Sequence, residues 1–270
     1  MVSGGCVLRI KTVQIQPFRT LMTALKNILL ETNITFQKDG IRIINMDKSH
    51  TILVYLYLPA DRFELYECEY DRIVIGVNMF HLFKLVNTID NDDTLTMYIE
   101  RSDYSDGVVQ NLGLRFENGE IKQCKTQKLR LIEPEADELE YPDVKFSSIL
   151  NLPSSDFEKI VRDLSVISDT LEIESVGTEL VFRCSGAFAK AEIRRTESDG
   201  SMEFIQKQSP TRVIQGEFSL KNLTYFIKCT NLCSHIEMYL ENDIPLVVKY
   251  NVASLGEIKL CLAPLPPSHS

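Results

Sequence analysis

Short runs of alternating or β-rich apolar residues recur along most of the chain, and this pattern predicts a protein built mainly from strands. Turn-forming residues separate many of the runs, for example the triplet Lys38-Asp39-Gly40 and the segment at 102–107. The predicted strands are 41–44, 51–58, 73–77, 95–99, 112–116, 171–173, 180–183, 217–220, 236–240 and 246–250.

Four segments break this alternation with a helical period and predict amphipathic helices of about three turns each. They lie at 18–29, 79–88, 154–166 and 219–230, and Ser154-Ser155-Asp156 after Pro153 predicts an N-cap cluster for the third. The apolar faces consist of Phe18, Leu21, Met22, Leu25, Ile28 and Leu29 in the first helix, Met79, Leu82, Leu85 and Val86 in the second, Phe157, Ile160, Val161 and Leu164 in the third, and Leu220, Leu223, Phe226 and Ile227 in the fourth.

The two halves of the chain repeat one plan. A shift of 141 residues places the apolar face of the second helix on that of the fourth, and a shift of 139 places the first on the third. Two near-equal offsets, each close to half the chain, indicate two copies of one unit. We therefore predict an N-terminal domain at 1–125, a connecting linker at 126–144 with six acidic residues, a C-terminal domain at 145–264 and a proline-rich tail at 265–270.

Composition restricts the class of protein. The chain has 270 residues, of which 44% are hydrophobic, and no apolar run approaches the length of a membrane span. The N-terminus lacks a hydrophobic segment followed by a cleavage site, so we expect the protein to stay inside a cell. Seven scattered cysteines predict free thiols. Cys229 and Cys233 lie four residues apart, but no other cluster offers further ligands, so we expect no metal site.

The positive charge is concentrated on the predicted helices, although the whole chain carries a formal net charge of −9. The four predicted helices contain seven basic and three acidic residues, a net charge of +4. The remainder of the chain is therefore acidic. A shared basic face would contact phosphates without reading sequence. The alternative, which the charges alone leave open, is that these are ordinary solvated helix faces. The cations are Arg19, Lys26, Lys84, Lys159, Arg162, Lys221 and Lys228.

Four motifs then resemble one known family, in the same order along the chain. They are NMDKSHTILVYLYL at 45–58, IGVNMFHLFKLV at 75–86, LNLPSSDFEKIVRDLS at 150–165 and IPLVVKYNVASLGEIKLCLAP at 244–264. Through them the chain resembles the proliferating cell nuclear antigen family, as a divergent eukaryotic, protist or large-DNA-virus member. The resemblance implies an α+β, two-domain DNA clamp fold, with antiparallel sheets outside, two helices per domain inside, and a ring closed by three copies.

The function that this resemblance implies is that of a sliding clamp, not of an enzyme, and no cofactor is expected. A homotrimer would encircle double-stranded DNA without sequence preference, as a processivity factor in DNA replication and a docking platform for repair proteins. Expected partners are a DNA polymerase, a clamp loader and other proteins with short clamp-binding motifs, and no membrane. The expected location is the nucleus, or the viral replication compartment of a virus.

The resemblance also assigns site residues. The seven helix cations would contact DNA. A client-peptide pocket would consist of Met46, His50, Leu53, Leu139, Tyr141, Pro245, Cys261, Ala263 and Pro264, and the cysteine, where a tyrosine is common, would widen it. Neighbouring subunits would pair the edge strands at 109–117 and 184–194, through Leu112, Leu114, Phe116, Gly186, Ala189, Ala191 and Ile193.

Other classes of protein remain as alternatives. The sequence contains no phosphate-binding GxxxxGK[ST] loop, no GxGxxG, no HExxH and no GxSxG, which argues against the common enzyme classes. A checkpoint-type clamp subunit that assembles with different partners, or a monomeric viral processivity factor, would share much of the pattern. Both of these alternatives predict that the chain forms no homotrimer.

Overall fold

The computed structural model describes residues 5–136, 139–207, 209 and 211–266, and the chain divides into two compact units. Unit 1 consists of Met1–Lys48, Val54–Tyr141 and Val252–Ile258, and unit 2 of Ser49–Leu53, Pro142–Asn251 and Lys259–Ser270. Both units combine antiparallel strands with two α-helices, which confirms the predicted α+β class. Within the described ranges, no helix has the length and apolar character needed to span a bilayer.

Unit 1 begins with a strand and a helix, continues with five strands and a second helix, and ends with five more strands. Its elements are β1 (Cys6–Thr12), α1 (Ile15–Ile28), β2 (Glu31–Gln37), β3 (Gly40–Met46), β4 (Ile52–Pro59), β5 (Leu65–Cys68), β6 (Arg72–Asn78), α2 (Met79–Val86), β7 (Thr94–Glu100), β8 (Tyr104–Ser105), β9 (Val108–Val109), β10 (Asn111–Asn118) and β11 (Gln123–Arg130). One antiparallel sheet has the order β11-β10-β7-β1-β5, and β2 pairs with both β3 and β6. Helices α1 and α2 pack against each other.

Unit 2 repeats the plan of a strand, a helix and further strands. Its elements are β12 (Ser148–Pro153), α3 (Ser154–Ser165), β13 (Thr170–Val176), β14 (Glu179–Ser185), β15 (Lys190–Thr196), β16 (Glu203–Gln206), β17 (Val213–Ser219), α4 (Leu220–Phe226), β18 (His235–Leu240), β19 (Leu246–Val252) and β20 (Gly256–Leu262). The strands β15-β14-β13-β17 form one sheet, and β12 pairs with β16 and β18. Helix α3 packs against α4, so the predicted duplication of one unit is confirmed.

The apolar face of each helix is the face that its unit buries. Every residue of the predicted stripes of the first, third and fourth helices is at most 8% exposed. In the predicted stripe of α2, Leu85 is half-buried and the other three residues are buried. Each fully buried leucine or phenylalanine contributes about 1.5–3 kcal/mol relative to an exposed one. The polar face of every helix is therefore left for solvent or a ligand.

The helix starts differ in how their free N–H groups are satisfied. The Asn78 side chain accepts a hydrogen bond from the His81 N–H at 3.1 Å, which caps α2, and Ser219 caps α4 in the same way. The predicted N-cap cluster of the third helix is wrong, because Pro153 occupies the cap position. Ser154 instead lies inside the helix, buried, and donates its hydroxyl to the Cys233 carbonyl.

Candidate nucleic-acid interface and docking surfaces

The cations of unit 1 divide into two kinds. Lys26 Nζ lies 3.5 Å from the centroid of the Phe83 ring, and Lys84 Nζ lies 4.4 Å from that of Phe80. Both lysines therefore keep their charge on the surface and rest on an aromatic ring rather than on a carboxylate. The sequences of α1 and α2 contain no acidic residue, so this surface is positive.

Arg19 has a structural role in the same unit. Its guanidinium donates to the backbone carbonyl of Ile89 and to Asn91 Oδ1, the latter at 3.2 Å. These contacts tie α1 to the loop that follows α2, and the side chain is half-buried. Arg19 therefore offers less of its charge to a ligand than Lys26 or Lys84 does.

The cations of α3 are neutralised on their own helix. Lys159 pairs with Asp163, and Arg162 pairs with Glu158 at 2.5 Å, both one helical turn away. The Arg195 guanidinium of β15 donates two hydrogen bonds to the Asp156 carboxylate, at 2.6 and 2.7 Å. This bidentate pair raises the pKa of Arg195. The polar face of α3 is therefore close to neutral.

Lys221 of α4 and Lys228, in the 3-10 segment that follows it, are exposed. Neither forms an ion pair with any residue that the structure describes. The predicted surplus of positive charge on the helices thus comes from α1, α2 and the α4 segment.

One further cation near the helices was not predicted. Lys125 of β11 donates to Thr88 Oγ1, just beyond α2, at 2.8 Å, and its Nζ lies 5.7 Å from the centroid of the Phe116 ring. The signal for it is weak in the sequence, because the strand that carries it has polar residues at nearly every position. Lys125 extends the positive surface of unit 1 beyond its two helices.

The edge of the unit 1 sheet is one strand further along the chain than we predicted. Strand β10 pairs with β7 on one side and with β11 on the other, so the predicted edge at 109–117 is wrong. Leu112, Leu114 and Phe116 are at most 2% exposed and belong to the core. Strand β11 is the outermost strand at this end of the sheet, and β5, with four residues, is outermost at the other.

The second predicted edge includes the outermost strand of its sheet, β15, which follows β14. Ala191 and Ile193 lie on β15 and are half-buried, while Gly186 and Ala189 form the turn that precedes it. A Cβ on Gly186 would lie 1.8 Å from the Ile167 carbonyl oxygen. Packing inside unit 2 therefore requires a glycine at this position, independently of any contact between subunits.

The predicted pocket residues of unit 1 are Met46 on β3, and Leu139 and Tyr141 in the linker. Tyr141 packs on Tyr55, with ring centroids 4.9 Å apart. Leu139 is 38% exposed and lines a cavity of about 310 Å³ together with Arg42. Met46 ends strand β3 and is half-buried. Tyr141 thus has an aromatic neighbour, whereas the cavity at Leu139 has mostly polar walls, with Asn33 and Arg72 among them.

The start of the linker is attached to unit 1 by a small set of hydrogen bonds. The Ile132 N–H donates to the Gly76 carbonyl at 3.0 Å. The Asn33 amide donates to the Glu135 carbonyl at 2.8 Å and accepts from the Glu135 N–H at 2.9 Å, as a neighbouring strand would. A Cβ on Gly76 would lie 2.6 Å from the Ile132 carbonyl oxygen, so this close approach requires a glycine. We call residues 131–136 the docked linker segment.

The predicted pocket residues of unit 2 are His50, Leu53, Pro245, Cys261, Ala263 and Pro264. His50 is exposed in a left-handed conformation, with φ of 55°. Pro264 lines a cavity of about 620 Å³ together with Val213 and Leu265. Cys261 is 5% exposed, so it belongs to the core and could form only the floor of a pocket.

Comparison with known proteins defines the class of this fold. The structure of proliferating cellular nuclear antigen from Entamoeba histolytica superposes with a TM-score of 0.85, over 97% of this chain and all of that one, at 24% sequence identity. This chain therefore has the same duplicated α+β fold as that protein.

Sequence comparison identifies the family. Models of the N-terminal and C-terminal domains of proliferating cell nuclear antigen match residues 7–139 and 140–265. The chain belongs to the proliferating cell nuclear antigen family. Because members of this family are non-enzymatic scaffold proteins, it is not an enzyme.

Two viral relatives are similar in sequence. One is a probable DNA polymerase sliding clamp 1 of Paramecium bursaria Chlorella virus 1, 31% identical over 98% of this chain and 99% of the relative. The other is a probable DNA polymerase sliding clamp of Acanthamoeba polyphaga mimivirus, which is 32% identical to this chain. The matched region covers 84% of this chain and 47% of that relative.

Proposed function

We propose that three copies of this chain close into a ring around duplex DNA and hold replication and repair proteins on it. The observation that carries the proposal is the separation of charge. Helices α1, α2 and α4 with its following segment bear lysines that form no ion pair within the described part of the chain, while the whole chain has a net charge of −9. Lysines on a common surface attract phosphates without reading bases, and an acidic remainder disfavours DNA elsewhere. The site of action would be the nucleus or a viral replication compartment.

The subunit contact that we propose joins β11 of one copy to β15 of the next. Both strands are outermost in their sheets, and each has one side of its backbone open for pairing. The exposed side chains are polar, and Lys128 is already held by Glu100 at 2.6 Å and Asp103 at 3.0 Å, hydrogen bonds that raise its pKa. A head-to-tail contact of this kind closes into a ring when the rotation per subunit is one third of a turn.

Enclosure would provide the mechanism. A closed ring keeps its hold on DNA while each phosphate contact with Lys26, Lys84, Lys221 or Lys228 forms and breaks freely. Such contacts weaken with salt and favour no sequence, which permits sliding. The sequence carries no nucleotide-binding loop of the GxxxxGK[ST] kind, so a separate loader would open the ring.

The docking function would use the predicted pocket residues in each copy. An apolar anchor and aromatic residues of a client peptide would contact Leu53, Leu139 and Tyr141. Replacement of Leu53 and Tyr141 with serine should abolish binding of a clamp-binding peptide while the unfolding curve still shows a cooperative transition. Normal peptide affinity in this variant would contradict the pocket assignment.

Solution mass is the first test of the ring. Light scattering across a dilution series should give a species near three times 30.9 kDa. A stable monomer would contradict the homotrimer. It would favour a clamp subunit that assembles with different partners, or a processivity factor that works without a ring.

The second test concerns the helix surface. Replacement of Lys26, Lys84 and Lys228 with glutamate should abolish stimulation of a DNA polymerase and leave the trimer intact. A control with Lys38, Arg62 and Lys207 changed to glutamate alters net charge equally, away from the four helices. Unchanged stimulation by the first variant, or equal loss in both, would contradict the assignment of the helices to DNA.

A further inference from the structure

Helix α2 exposes an aromatic side chain that its packing does not use. Phe80 is 45% exposed and Phe83 is half-buried, whereas Met79, Leu82 and Val86 of the same helix fill the core. Burial of an exposed apolar ring against another flat group is favourable in water. Phe80 therefore marks a position where a flat apolar partner would gain contact area.

The repeat shows that the aromatic residues are not a requirement of the fold. The shift of 141 residues that superposes α2 on α4 places Phe80 on Lys221 and Phe83 on Thr224. Helix α4 packs its apolar stripe in the same way without them. The two phenylalanines are thus a property of unit 1 and not of the duplicated architecture.

Each ring carries a lysine. Lys84 lies over Phe80 and Lys26 over Phe83, and α1 and α2 contribute no carboxylate. A ring beside an ammonium group offers stacking area and a phosphate contact within the span of one nucleotide. Proteins that hold single strands combine these same two elements, since every base has a flat face and every nucleotide a phosphate.

We propose that this cation–aromatic cluster, formed by Lys26, Phe80, Phe83 and Lys84, binds unpaired nucleotides of single-stranded DNA. A base would stack on Phe80 in place of the Lys84 ammonium, which would move to an adjoining phosphate, and Lys26 would contact the next phosphate. Bases in an intact duplex are stacked on one another, so duplex DNA reaches the lysines but not the ring. The inference rests on the proposed contact between these helices and DNA, but it does not require a closed ring.

The test uses the fact that the chain contains no tryptophan. In the Phe80→Trp variant the single indole should be quenched by a 20-nucleotide oligo(dT) at low salt. It should not be quenched by a strand of the same length whose nucleotides lack bases, nor by a duplex. Phe188, 75% exposed in unit 2 and without a lysine over its ring among the contacts described, provides the matched control, Phe188→Trp, which should not be quenched by oligo(dT).

Affinities separate stacking from a purely ionic role. Phe80→Ser should weaken oligo(dT) binding about tenfold and leave duplex binding unchanged, and Phe80→Tyr should keep the wild-type affinity. Equal loss for oligo(dT) and duplex would mean that Phe80 only positions Lys84, and this would overturn the proposal. Absence of oligo(dT) binding by the wild-type chain, or no effect of Phe80→Ser, would overturn it too. A monomeric mass or a lack of polymerase stimulation would instead count against the ring, whatever the oligo(dT) result.

Discussion

Two tyrosine hydroxyls differ in whether they form a hydrogen bond within the described residues. The Tyr250 side chain is fully buried in unit 2, and its hydroxyl has no hydrogen-bond partner among the described residues. Burial raises its pKa well above the ordinary value, so the group stays neutral. The Tyr66 hydroxyl in unit 1 donates to the Gln37 carbonyl at 2.7 Å. A buried polar group without a partner costs free energy, and a satisfied one contributes about 1 kcal/mol.

The tyrosine-to-phenylalanine change should therefore have opposite effects at the two positions. Tyr250→Phe should raise the free energy of unfolding by about 1 kcal/mol, because the unpaired hydroxyl is removed. Tyr66→Phe should lower it by a similar amount. Urea denaturation followed by circular dichroism measures both, and a loss of stability in Tyr250→Phe would show that this hydroxyl is satisfied in solution.

At the scale of elements, the docked linker segment depends on a glycine. Gly76→Ala would place a methyl group against the Ile132 carbonyl and should push the segment off β6. Limited proteolysis should then cut the linker several-fold faster than in the wild type. Gly119→Ala is the control, since a Cβ there meets no atom within 4 Å. Equal cleavage rates in the two variants would contradict the attachment.

Helix α3 allows a test of charge neutralisation. Glu158→Gln and Asp163→Asn together would release Arg162 and Lys159 from their pairs. Duplex affinity should rise, and its dependence on salt should steepen by about one to two counterions. Asp61→Asn with Asp71→Asn, two exposed acids away from the helices, makes the same change in net charge. An equal effect of both pairs would indicate a general charge effect rather than contact at α3.

The elements that the sequence predicted best are those with two distinct faces. The stripe from Phe18 to Ile28 identifies α1, because a helix with one buried side must repeat its apolar positions. Strand β11 was missed because, of its residues, only Leu129 is buried. The wrong edge prediction follows from that omission, and so does the absence of Lys125 from the predicted DNA contacts. The first residues of the predicted linker, 126–130, are likewise part of β11.

Side-chain pairing was beyond the reach of sequence patterns. The sequence gives Lys159 and Arg162 the same charge as Lys26 and Lys84. In the structure, Lys159 and Arg162 form ion pairs on α3, whereas Lys26 and Lys84 lie over aromatic rings. Spacing alone permits the pairs on α3 without requiring them. The predicted domain limits, DNA contacts and client pocket stay predictions until the experiments proposed above are made.

For the whole molecule, Cys124 reports on the proposed ring. All seven cysteines are free thiols, and Cys124 on β11 is the exposed one. If β11 pairs with β15 of a neighbouring copy, a maleimide reagent should modify Cys124 several-fold more slowly in the trimer than in dilute monomer. Cys68, on β5 at the opposite edge of the sheet, is the internal control and should react at one rate in both states. Equal protection of both thiols, or of neither, would contradict the β11 contact.

The few hydrogen bonds that hold the docked linker segment also set the fraction of molecules in which it is released. Detachment would break the backbone bonds of Leu131 and Ile132 and the two bonds with Asn33, at about 1 kcal/mol each. A gap of about 4 kcal/mol leaves the segment released in roughly one molecule in a thousand at any moment, without unfolding of unit 1. A partner that recognises only the released form of the segment would therefore find about one molecule in a thousand ready to bind.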